Sequence, residues 1–106
     1  MITAIIRYKG KDGDAKKFVS DMISLGLVDK IRFEEGNLQY EYFFPIEEEE
    51  SVLLIDSWAN QEALDRHHQS PFMAKIAALR DKYDLHMEVR KYIALPDDND
   101  KNFIRY

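Results

Sequence analysis

The densest titratable feature of this 106-residue chain is the adjacent pair His67-His68. A neutral imidazole near pH 7 is a natural general base. Neighbours on a helix project about 100° apart, so the two rings cannot both face one pocket. They do not make an i, i+4 metal pair either, because the residue four before His67 is Ala63. The plainer reading is that both cap and solvate the end of a short helix. Trp58 closes an apolar run just after Asp56 and Ser57, where it either stacks on a planar ligand or joins the core. Tyr40 and Tyr42 carry the same ambiguity between sheet packing and a phenol offered to an aromatic substrate.

Other chemistries are poorly served. There is no cysteine, hence no disulfide, no thiolate nucleophile and no Cys-based zinc site. His86 is isolated on a strand and no His-x-x-Glu helix occurs, so no metal site is expected. Four glycines leave no GxGxxG or GxxxxGK[ST] phosphate loop, and no nucleotide, flavin or nicotinamide cofactor is expected. Fifteen Lys+Arg against 20 Asp+Glu give a net charge of -5, which disfavours nucleic acid. The first residues, Met1 to Tyr8, lack a basic segment followed by a long apolar stretch. Neither a secretory signal nor membrane insertion is expected, and a cytoplasmic location follows as the expectation.

The elements that must position these side chains follow from hydrophobic period. Ile2 to Tyr8 alternates as a strand. Lys9 to Asp14 turns, with Asp14 as the expected N-cap of a helix carrying Phe18, Val19, Met22 and Ile23. Gly26 is the expected stop, followed by a second short helical piece over 27–33. Leu38 to Phe44 reads as an aromatic-rich strand with Leu38, Tyr40, Tyr42 and Phe44 on one face. The four glutamates 47–50 repel one another and belong to a solvated connection before the strand Ser51 to Trp58. Asn60 is the expected cap of the helix bearing Ala63, Leu64 and the two histidines. Ser70-Pro71 reads as N-cap and N1 of the next helix, whose buried stripe is Met73, Ile76, Ala77, Leu79 and Tyr83. Leu85 to Leu95 alternates as a last strand, and Pro96 opens a polar tail that ends in Phe103 to Tyr106.

The order is βαββαβ, an α+β ferredoxin-like pattern: a four-stranded antiparallel sheet with helices on one face, a single domain over 1–95 and a tail over 96–106. Ile5, Phe43, Leu53 and Ile55 stand at the parity opposite to Ile6, Tyr42, Leu54 and Trp58, so both sheet faces need cover. A second copy of the same sheet is the simplest cover, and a two-fold homodimer is expected.

Three segments resemble one known family when taken together: Glu34 to Tyr40 (EEGNLQY), Leu54 to Trp58 (LIDSW), and Glu62-Ala63-Leu64 with His67 and Ser70-Pro71. In order and spacing they are similar to the antibiotic biosynthesis monooxygenase (ABM) family, closest to its quinol monooxygenase branch, over nearly all of residues 1 to 95. The resemblance implies a dimeric α+β barrel and oxidation of a quinol or polyphenolic small molecule by O2 without cofactor. It implies His67 as base, Trp58 and Tyr40 as wall and hydrogen-bond donor, and His68, Phe72 and Asn37 as further substrate contacts. Phe72 stands where many relatives carry a second histidine. The positions used by haem-degrading relatives fall here at Ile6, His67 and Ala77, which does not favour haem chemistry. Two other readings stay open: a non-catalytic small-molecule-binding dimer, and an isomerase of a small polar metabolite with Arg7 and Arg90 as candidate anion contacts.

Overall fold

The computed structural model describes residues 1–95, so the expected tail over 96–106 lies outside the described residues. The elements run β1 (Ile2–Lys9), α1 (Asp14–Ser24), α2 (Leu27–Arg32), β2 (Asn37–Phe43), β3 (Ser51–Trp58), α3 (Gln61–His68), α4 (Phe72–Lys82) and β4 (His86–Ile93). The strands form one antiparallel sheet in the order β2-β3-β1-β4, the ferredoxin-like arrangement. Each crossover carries two helices rather than one long one. Gly26, at φ 74°, breaks the first crossover into α1 and α2, a conformation that glycine adopts without steric penalty.

The core lies between the sheet and the helices. Phe18, Met22, Leu27 and Ile31 from α1 and α2 meet Tyr8, Tyr40, Val52, Leu54 and Trp58 from the sheet, all at most 3% exposed. Sheet register fixes which strand residues share that face. One row runs Tyr40, Asp56, Ala4, Lys91; the next runs Asn37, Trp58, Ile2, Ile93. On the opposite face Ile5, Leu53 and Ile55 are only half-buried and Phe43 is exposed.

Local expectations are revised in four places. Asp14 does not cap α1 but is its first residue; Gly13 holds the cap position at φ 79°, and its N–H is taken by the Glu50 carboxylate at 2.9 Å. The glutamate run is therefore tied back to the fold. Glu48 pairs with Arg7 at 2.7 Å and accepts from the Ser51 hydroxyl, and Glu50 places negative charge at the α1 N-terminus. In β2 a register shift between Asn37 and Gln39 turns Leu38 out to 56% exposure, and Phe44 lies past the strand end, so neither joins the face of Tyr40 and Tyr42. Ser70 does not cap α4: Pro71 occupies that position, and the Ser70 hydroxyl is buried without a partner among the described residues. Asn60 does cap α3, accepting from the Ala63 N–H at 2.9 Å. Every residue of β4 is exposed, which leaves its alternation without a buried side in the single chain.

Candidate functional site

His67 is 3% exposed, in the last turn of α3 on the same face as Ala63 and Leu64. Its ring stacks on the indole of Trp58, with centroids 4.6 Å apart and planes at 26°. The Glu34 carboxylate meets its Nδ1 at 3.0 Å. A carboxylate at Nδ1 favours a proton there and leaves Nε2 as the lone-pair nitrogen. Nε2 makes no hydrogen bond among the described residues. Burial pushes the His67 pKa below its ordinary value, partly offset by Glu34, so the ring is neutral at pH 7.

Glu34 reaches this position through a tight turn. Gly36, at φ 84°, sits so close to α3 that a Cβ on it would lie 2.5 Å from the Ala63 Cβ, and its carbonyl accepts from the Ala59 N–H at 2.8 Å. Ala63 is one helical turn before His67, so this contact seats the turn that carries Glu34 against the histidine.

Beneath the ring pair lies a second acid. The Trp58 indole N–H donates to Asp56 Oδ1 at 2.6 Å, within the buried sheet face. Burial raises the Asp56 carboxyl to about 6, opposed by the indole donor and reinforced by the charge of Glu34. Tyr40, opposite Asp56 on β2, packs edge-on to His67 at 6.3 Å and shares a 3.3 Å phenol–phenol hydrogen bond with Tyr42. Burial raises both phenols far above their ordinary range, so both stay protonated.

The structure thus brings together Trp58, Tyr40 and His67. It leaves the other three expected residues apart. His68 is exposed, with its ring 5.8 Å from that of His67. Asn37 sits beside Trp58 in the sheet, but its amide is directed at the Gln39 and Ser57 carbonyls. Phe72 packs at the core margin. Asn37 and Tyr40 line one open cavity of about 400 Å3 among the described residues. No group of three or more His, Asp or Glu among the described residues is placed to hold a metal ion.

The model of the "Antibiotic biosynthesis monooxygenase" family matches residues 1–79, which include this whole constellation. The chain belongs to the antibiotic biosynthesis monooxygenase family. It is similar to the protein named "Putative monooxygenase YcnE" of Bacillus subtilis (strain 168), 31% identical over 70 residues, 66% of this chain and 72% of that one. Among solved structures, a Deinococcus radiodurans protein described as a "putative antibiotic biosynthesis monooxygenase" superimposes with a TM-score of 0.81 at 16% identity, over 93% of this chain and 97% of that one. SnoaB, a cofactor-independent oxygenase from Streptomyces nogalater, gives 0.75 at 14% identity, over 92% and 96%.

Two acids of this ABM domain escaped the sequence reading. Glu34 belongs to the acidic turn Glu34-Glu35-Gly36, whose residue types read as solvated, and Asp56 reads as the polar end of an apolar run. Asp56 did leave a signal: it occupies the core parity of β3, two residues from Trp58, where a charged side chain requires a partner.

Proposed function

We propose that this chain is a monooxygenase that oxidises a quinol or polyphenolic molecule with O2 and no cofactor, with His67 as the base. The carrying observation is the His67 ring: buried, stacked on the single tryptophan, with Glu34 at Nδ1 and Nε2 unpartnered among the described residues. Triplet oxygen reacts poorly with closed-shell molecules, but a phenolate donates one electron readily. Removing the phenolic proton to Nε2 therefore starts the reaction, and water-excluding rings hold the radical pair until it combines. A quinol then gains one oxygen atom as the hydroxyquinone, and the second oxygen leaves in water. The name of SnoaB as a cofactor-independent oxygenase supports the same reading.

The site works in a two-fold homodimer, in which a second copy covers Ile5, Leu53, Ile55 and Phe43 on the open sheet face. The ligand enters by movement of the side chains that seal Trp58 and His67.

Oxygen uptake with a panel of quinols, comparing wild type with His67→Ala, is the test. Uptake should be lost in the variant. Because burial depresses the His67 pKa, the acid limb of kcat/KM should lie below pH 6.5, the ordinary histidine value. Equal rates in the two proteins remove His67 as base, and no uptake across the panel removes the oxygenase reading. The full burial of Trp58 and near-full burial of His67 favour one other reading, a dimer that binds a small molecule without turnover. Saturable binding with no oxygen uptake would establish it.

A further inference from the structure

We infer that the cleft between α1, α2 and β2 is a second binding site, built for a small neutral hydroxylated aromatic molecule and separate from the His67 centre. The cleft encloses about 310 Å3. That is the lower end of ligand-pocket size, enough for one or two fused rings. Val19 and Val28 form buried walls, while Ile23 and Phe44 on the rim are 61% and 54% exposed. Large apolar side chains left in water around a concavity are the usual mark of a surface that receives a ligand.

The polar groups of the cleft select the ligand. Arg32 is anchored by its Nε donating to the Tyr40 carbonyl at 2.9 Å, and its two Nη groups make no hydrogen bond or ion pair among the described residues. Asp29 and Glu41 share the lining, and Lys16 lies 5.5 Å over the Phe44 ring. The lining itself carries one cation, Arg32, against two carboxylates, and Lys16 over the Phe44 rim offsets the second, so neither an anionic nor a cationic ligand is favoured. A neutral ring with hydroxyl groups meets both sets: its O–H donates to a carboxylate and its oxygen accepts from Arg32. Tyr42 completes the wall, and through its bond to Tyr40 the occupant adjoins the residues packed on His67 without touching His67. The site rests on the proposed oxygenase reading only in the sense that it would hold the same phenolic class of molecule before or after it visits the buried centre.

The test is calorimetric titration with 2,3-dihydroxynaphthalene, together with backbone amide NMR shifts. Naphthalene-2-carboxylate and 2-naphthylmethylammonium serve as the charged arms. Saturable binding of the diol is expected, with shifts centred on Val19, Val28 and Tyr42. Ile23→Trp, which plugs the mouth, and Arg32→Met should each weaken it by about tenfold or more, while Glu34→Gln should leave it within about twofold. The proposal is overturned by absence of saturable binding or by tighter binding of either charged arm. It is equally overturned if affinity survives Ile23→Trp but falls in Glu34→Gln, with shifts at Trp58 and His67. Oxygen uptake failing while this binding persists would remove the catalytic reading alone.

Discussion

Asp56 is the residue whose energetics are most exposed to measurement. In the unfolded chain a carboxyl titrates near 3.8, whereas in the fold Asp56 titrates at about 6. Between those values the unfolded state loses its proton first, so Asp56 lowers stability as pH rises from 3.8 to 6 and holds the full penalty above 6. The difference corresponds to about 3 kcal/mol at most. Asp56→Asn keeps an oxygen for the Trp58 indole and removes the charge. Its urea midpoint should rise above that of wild type at pH 8 and coincide with it at pH 4. An equal shift at both pH values would show that the ionised carboxylate is not the source. His67 acts at the other end. Its pKa is depressed, so the unfolded chain takes up the proton first and stability falls as pH drops below 6.5. The pair leaves a window near neutral pH in which His67 is a base and Asp56 an anion beside the indole.

At the scale of elements, the Glu34 turn and α3 are one unit, and Gly36 is where they touch. Gly36→Ala meets two separate obstacles: a left-handed backbone at φ 84°, and a Cβ 2.5 Å from that of Ala63. The backbone term alone is about 1–2 kcal/mol, and overpacking adds about 1–3 kcal/mol. Ala63→Gly in the same background should recover the overpacking part and not the backbone part, which a double-mutant cycle in denaturant resolves. If the turn positions Glu34 as argued, Gly36→Ala should also move the His67 imidazole pKa measured by NMR. The β2–β3 connection makes a parallel case. Its glutamates are legible as a solvated acidic tip, but their charge alone does not reveal that Glu50 takes the Gly13 N–H and Glu48 takes Arg7. Those partners lie 37 and 41 residues away, beyond any local pattern.

For the whole molecule, the open sheet face governs behaviour in solution. Ile5 pairs with Ile55 across β1 and β3, and Leu53 stands opposite Arg7 on the same face. In the proposed dimer, face-to-face packing of two copies would bury this row. Sedimentation should therefore give a dimer at micromolar concentration, and Ile55→Lys, which places an unpaired charge in the middle of the row, should give the monomer. A wild-type monomer would refute the dimer. Among the described residues no helix is long and apolar enough to cross a membrane.

The sequence by itself determined the βαββαβ order, the two strand parities that set Ile6, Tyr42, Leu54 and Trp58 opposite to Ile5, Phe43, Leu53 and Ile55, the break at Gly26 and the Asn60 cap. Each of these depends on residues within a few positions of one another, through hydrophobic period, positive φ or a cap bond. Only the tertiary structure decided that Glu34 holds the His67 ring and Asp56 the Trp58 indole, and that His68 and Phe72 stand aside from them. The Glu34 contact joins a turn to a separate helix, and its partner is chosen by the close approach of Gly36 to Ala63. A bulge of one residue in β2 was enough to turn Leu38 to solvent, because side chains alternate with period two and a single shift exchanges the faces.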